Sequence, residues 1–99
     1  MNVFDFTDKA ERDLEKVIDF TIEQWGASLA LRYIAGLEET AQMLADHPNI
    51  GLNRDELSFE LLSFSHQSHI LYYLKSPVGI TIIRVLHSNM DPDNQFITK

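Results

Sequence analysis

The stretch from Ser63 to Asp91, SFSHQSHILYYLKSPVGITIIRVLHSNMD, constrains this chain most, because it holds two long apolar strand segments with almost no polar alternation. A sheet wetted on one face alternates apolar with polar residues, whereas one covered on both faces does not. In the first segment His69, Leu71 and Tyr73 share one side, and Ile70, Tyr72 and Leu74 the other. In the second, strict alternation puts Ile80, Ile82, Arg84 and Leu86 on one side and Thr81, Ile83, Val85 and His87 on the other. Something must therefore lie against each face.

The rest of the chain supplies a cover for one of them. Val3, Phe4 and Phe6 around Asp5 predict a short first strand, and Thr7 or Asp8 then caps a helix, with Asp8 and Glu11 at capping-box spacing. Ala10, Leu14, Val17, Ile18, Thr21, Ile22 and Trp25 recur at three- and four-residue steps, opposite Glu11, Arg12, Glu15, Lys16, Asp19 and Glu23. Gly26 stops that helix. A second runs from Ala27 or Ser28 to about Asp46, with Ala30, Tyr33, Ile34, Leu37, Ala41 and Leu44 as its stripe, until His47-Pro48-Asn49 breaks it. So short a joint makes the pair an antiparallel hairpin.

Pro48 to Arg54 reads as a loop, and Asp55 to Leu62 as the lead into a strand containing Phe59, Leu61 and Leu62. A turn at Ser65–Ser68 precedes the strand His69–Lys75, and Ser76-Pro77-Val78-Gly79 connects it to Ile80–His87. The order predicts an α+β fold: a short N-terminal strand, then a helical hairpin packed on one face of a mainly antiparallel sheet of three to four strands. The second face then needs a partner chain, a second copy, or the tail from Asn89 to Lys99, which offers only Met90, Phe96 and Ile97 and reads as flexible. A partner is the expected cover.

At 99 residues the chain reads as one domain, with residues 89–99 as its tail. The absence of cysteine excludes disulfides and thiolate chemistry and fits a reducing cytoplasm. The N-terminus lacks the basic lead and apolar run of a secretory signal, and no stretch is long enough to span a bilayer, so an unexported protein away from the membrane is expected. The net charge of −7 is concentrated in the first half, where four Lys and Arg face ten Asp and Glu; the second half has four against five. Between Glu60 and Asp91 stand no carboxylates, only Lys75, Arg84, His66, His69 and His87. Two long cations make a thin patch for phosphate backbones, which disfavours direct nucleic-acid binding.

The residues that could carry chemistry do not assemble by spacing alone. His66 and His69 form an HxxH pair, but three residues apart on one strand they face opposite ways, so only a turn or bulge between them would let both hold one ion. Turn or strand-edge histidines are the simpler reading, and no metal or cofactor is expected. His66, Arg84 and His87 could serve a ribonuclease as base, cation and acid. Strict alternation puts Arg84 and His87 on opposite faces, which favours Arg84 meeting a carboxylate and His87 ending its strand in a hydrogen bond. Trp25, on the apolar stripe, is expected to fill the hairpin core. The four glycines form no phosphate loop, and Glu38 and Glu39 read as a solvated helix face. No catalytic site is expected.

Taken together, AERDLEKVIDFTIEQWG, RYIAGLEETAQMLADHPNIG, RDEL, SFSHQSHILYY and IIRVLHSNMD resemble the ParE toxins of the RelE/ParE superfamily of bacterial toxin-antitoxin systems, in the family's order and over nearly the whole chain. The closing RVLHxxMD and the WG ending the first helix are similar to the ParE branch rather than the RelE branch. The chain departs from the family after His87, where many relatives carry a basic residue and this one has Ser88 and Asn89. The resemblance implies a RelE/ParE-like fold and a cytoplasmic toxin that inhibits DNA gyrase by binding, without catalysis. It also implies neutralisation by a ParD-like antitoxin in a hetero-oligomer, with a toxin dimer as a further possibility. The alternatives are a ribosome-dependent mRNA endonuclease of RelE type and a non-toxic antitoxin-binding homologue. For the antitoxin the expected contacts are Leu71, Tyr73, Ile83, Val85 and Arg84; for gyrase they are Trp25, His87, Met90 and Asp91.

Overall fold

A computed structural model describes residues 2–96. Strand β1 (Val3–Phe6) leads through Thr7 into helix α1 (Asp8–Trp25), and Gly26 joins it to helix α2 (Ala27–Asp46). A single 3₁₀ turn at Pro48–Ile50 is followed by strands β2 (Leu52–Asn53), β3 (Leu62–His66), β4 (His69–Ser76) and β5 (Gly79–His87), and by a short helix α3 (Pro92–Phe96). The five strands form one sheet in the order β1-β5-β4-β3-β2, antiparallel except where β1 pairs in parallel with β5.

The local signals worked as read. Thr7 is the N-cap of α1: its hydroxyl oxygen accepts from the Ala10 N–H at 3.1 Å, satisfying one of the free donors of the first turn. Gly26, at φ 93°, ends the helix in a conformation a side chain would resist. The hairpin lays Ala10, Leu37, Ala41 and Leu44 onto Leu71, Tyr73, Ile80, Ile82 and Val85 to form the main core. Each large side chain buried this way stabilises the fold by about 1.5–3 kcal/mol. Tyr73 also donates its hydroxyl to the Pro48 carbonyl at 2.9 Å, and a Cβ at Gly51 would collide with that hydroxyl, so the turn into β2 requires glycine there.

Three features differ from the sequence reading. The first is the alternation of β5. Tyr72 pairs with Arg84 but Tyr73 with Ile82, so Ile83 is an extra residue, a β-bulge that reverses which way the following side chains point. Val85 therefore joins Ile80 and Ile82 under the helices, while Leu86 lies on the opposite face with Tyr72 and Leu61.

The second difference is that opposite face, which is largely covered by the chain itself. Leu61, Tyr72 and Leu86 are fully buried among Leu57, Ile70, Leu74, Ile83 and Phe96. The Phe96 ring on α3 packs at 5.0 Å from the ring of Tyr72, and the Arg54 guanidinium sits over the same tyrosine at 5.8 Å. These ring contacts and the apolar residues around them thus do what the sequence assigned to a partner; Ile97, also assigned to the tail, lies outside the described residues.

The third difference is at the sheet edge. Residues 52–53 pair with β3, whereas Asp55–Glu60 make turns. The loop is closed by the Arg54 N–H on the Leu61 carbonyl at 2.8 Å and the Glu60 N–H on the Asp55 carboxylate at 2.8 Å, with Glu60 at φ 61°. These local bonds compete with strand formation and leave Phe59 exposed.

Candidate functional site

The two halves of α1 meet the sheet differently. Strand β1 pairs with β5 only as far as Phe6 and Ile82, so among the described residues no strand lies beside the outer edge of β5 from the bulge onward. Helix α1 takes over. The Thr7 N–H donates to the Ile82 carbonyl at 3.0 Å and the Thr7 hydroxyl to the Ile83 carbonyl at 2.9 Å; Asp13 accepts from the Val85 N–H at 3.0 Å. The same carboxylate receives Arg84 in a two-pronged grip, Nε at 2.7 Å and Nη2 at 3.0 Å. Arg84 Nη1 also reaches Gln95 at 3.4 Å, tying α3 to the clamp. The hydrogen bond and charge of Asp13 push the Arg84 pKa still higher, so the guanidinium stays charged.

Past Val17 the same helix turns apolar side chains outward. Phe20 is 60% and Trp25 69% exposed, Ile22 is partly exposed, and Leu29 in the first turn of α2 is also partly exposed beside them. The expectation that Trp25 fills the hairpin core is corrected: the ring lies in the last turn of α1, beside Gly26, and stays mostly exposed. Between this end of α1 and the sheet lie two adjoining hollows, of about 450 and 240 Å³. The larger reaches Met90, Arg84 and Lys16; the smaller reaches Trp25, Leu29, Tyr33 and Ser68. Phe20, His69 and His87 line both and form the waist between them.

Beneath that waist is a histidine cluster that spacing concealed. The turn at Gln67–Ser68 lies between His66 and His69, so the two are cross-strand neighbours, and His69 also pairs with His87. The turn sits where Gln67 adopts φ 51°. His69 Nδ1 lies 2.6 Å from the Tyr33 hydroxyl, and its ring is 5.2 Å from that of His87. His66 turns to α2, its Nδ1 2.9 Å from the Thr40 hydroxyl and its Nε2 buried without a partner against Gly36, where a Cβ would crowd it. Burial holds His69 below the ordinary imidazole pKa, helped by the charges of His87 and His66; burial alone lowers His66. Burial also raises the Tyr33 phenol. Among the described residues no set of three His, Cys, Asp or Glu has metal-binding geometry.

The structure treats the two predicted contact sets differently. Leu71 and Tyr73, at 1% and 0% exposure, lie with Val85 in the core under the helices. Ile83 is on the opposite face because it is the bulge residue, and Arg84 is clamped to Asp13. That set is split across the sheet. Trp25, His87 and Met90 do come together along the groove, while Asp91 caps α3 by accepting from the Asp93 N–H at 3.0 Å. The ribonuclease set of His66, Arg84 and His87 is also dispersed: His66 faces α2, Arg84 faces Asp13, and His87 Nδ1 accepts from the Asn89 N–H at 3.1 Å. Asp13, Phe20 and Tyr33 are the residues that sequence reasoning missed at this site. The signal for Asp13 was available, a carboxylate three residues after Ala10 and four before Val17, on the stripe that α1 buries.

Comparison with known proteins places this geometry among relatives. A family model described as the ParE toxin of the type II toxin-antitoxin system parDE matches residues 4–92. The toxin ParE1 of Caulobacter vibrioides is 30% identical over 91 residues, covering 92% of this chain and 94% of that protein. ParE1 of Mycobacterium tuberculosis is 35% identical over 85 residues, covering 85% and 87%. The fold is shared with a solved structure titled as the chromosomal ParDE toxin-antitoxin system from P. aeruginosa, at a TM-score of 0.74 and 20% identity, over 88% of this chain and 96% of that one.

Proposed function

This chain belongs to the ParE toxin family of type II toxin-antitoxin systems, and from that membership we propose that it inhibits DNA gyrase by binding and is neutralised by a ParD-like antitoxin. It acts without catalysis, in the cytoplasm, and pairs with its antitoxin as a hetero-oligomer. The observation that carries this reading is the groove beside the second half of α1: exposed Phe20, Trp25 and Leu29 stand over an apolar trough, in a chain whose main core is otherwise closed. An apolar surface rimmed by polar groups fits a macromolecular partner.

The Asp13–Arg84 pair supports binding over RNA cleavage. A guanidinium held by two bonds to a buried carboxylate is already neutralised and is not free to stabilise a phosphorane. The antitoxin fits the groove as an amphipathic segment whose apolar side chains enter the two hollows. In this reading Leu71, Tyr73 and Val85, expected from the sequence as antitoxin contacts, instead support that surface from the buried core beneath the helices.

The test is a supercoiling assay with purified protein, with and without the co-expressed ParD-like protein. Loss of supercoiling with accumulation of cleaved DNA, reversed by the antitoxin, is the expected result. Unchanged gyrase activity at large molar excess rejects gyrase as the target, and harmless overexpression of folded protein identifies a non-toxic antitoxin-binding homologue.

A further inference from the structure

We propose that the His69–His87 pair at the waist of the groove is a receptor for a carboxylate on the antitoxin segment, and that one proton is taken up at His69 when the segment docks. This rests on the groove being the antitoxin site and names the chemistry by which it is read.

The charge around the pair is one-sided. From α1, Lys16 and Asp13 line the groove, and Asp13 is already occupied by Arg84. From β5 come Arg84 and His87; from β3, His66; from α2, only the Tyr33 phenol; the turn adds uncharged Gln67 and Ser68. Among the described residues no unpaired carboxylate faces the rings. In a chain of net charge −7 this is a concavity without available acid, and its own folding provides no anion for a protonated imidazole. An acidic side chain between apolar anchors is the complement.

The surroundings also allow His69 to change protonation state without losing its anchor. With the ring neutral, the Tyr33 hydroxyl donates to Nδ1 across 2.6 Å. With the ring charged, Nδ1–H donates to the same oxygen, and the phenol hydrogen turns to the His66 carbonyl at 3.4 Å. The Tyr33 side chain therefore serves both states, and the proton gained sits on a ring that packs against His87 and lines the groove. His87 lacks that freedom, because its Nδ1 already accepts from Asn89. Burial and neighbouring histidines hold His69 neutral in the free chain, and a docked carboxylate opposes both effects.

The test is an NMR titration of the histidine rings in the wild-type protein, free and bound to the co-expressed ParD-like antitoxin, with affinity measured across the same range. The expected result is a His69 midpoint about one pH unit higher in the complex and binding about fivefold tighter at pH 5.5 than at 7.5. His69→Gln removes most of that pH dependence while still binding. A His69 midpoint that is unchanged or lower in the complex, or an affinity that does not tighten with acid, overturns the carboxylate receptor while leaving the antitoxin reading intact. Failure of the antitoxin to bind at any pH rejects both.

Discussion

The first and second halves of α1 carry the same apolar periodicity, yet one half is built into the fold and the other is offered to solvent. From Thr7 to Val17 the helix replaces a missing strand: it satisfies backbone groups at Ile82, Ile83 and Val85 and buries Ala10, Asp13 and Val17. From Phe20 to Trp25 it overhangs a groove and exposes its largest rings. Periodicity alone identifies a helix that can pack; whether it does depends on how far the sheet beneath it extends. Stability belongs to the near half, and the far half carries the proposed docking surface.

The sharpest way to break that division is at the clamp. Asp13→Ala leaves the Arg84 guanidinium buried without its counter-charge and removes the acceptor of the Val85 N–H, so a loss of about 3–5 kcal/mol is expected in chemical denaturation. A loss below ~1 kcal/mol would show that α1 is held by apolar contact alone. Next in size is Phe96→Ala, which uncovers Tyr72 and is expected to cost about 1–3 kcal/mol, read as a lower denaturation midpoint. No change there would mean that Arg54 and the adjoining loop cover the second face unaided.

Acid supplies a smaller perturbation aimed at the far half. His69 and His66 titrate lower in the folded chain than in the unfolded one, so the unfolded chain binds more protons as pH falls through about 6.5. Stability of the free protein is therefore expected to decline below that point and to level off once the folded rings are also protonated. Thermal melts from pH 7.5 to 5 check the sign, and a rise in stability with acid would contradict it. The smallest expected effect is on the fold of Trp25→Ala, within about 0.5 kcal/mol, because the ring makes little of the core. A larger loss would place Trp25 with the near half after all.

The same contrast explains what could be read before the structure. Thr7, Gly26, Pro48 and the Ser76–Gly79 connector act through backbone geometry within a few residues, so the helices and the β4–β5 hairpin were legible. The face assignments of β4 also held, with Leu71 and Tyr73 opposite Tyr72. Those of β5 failed beyond Ile83, because a bulge has no signature in a run of β-branched residues and arises where β1 stops and α1 takes over. The cover over Tyr72 was missed for a related reason: Arg54 and Phe96 are far apart in sequence and each reaches Tyr72 only in the folded chain. Of the groove, the sequence suggested Trp25, His87 and Met90 only as separate surface contacts and expected Trp25 in the core, and the Tyr33–His69 contact depends on a turn that converts an apparent opposite-face pair into neighbours.

The most direct test of the far half as a docking surface is the affinity of the Phe20→Ala/Trp25→Ala double variant for the co-expressed ParD-like antitoxin, measured by calorimetry beside its melting temperature. A surface role predicts an unchanged melting temperature and binding weakened at least ~30-fold, the scale of losing a hot-spot anchor. Wild-type affinity in a folded double variant would contradict it.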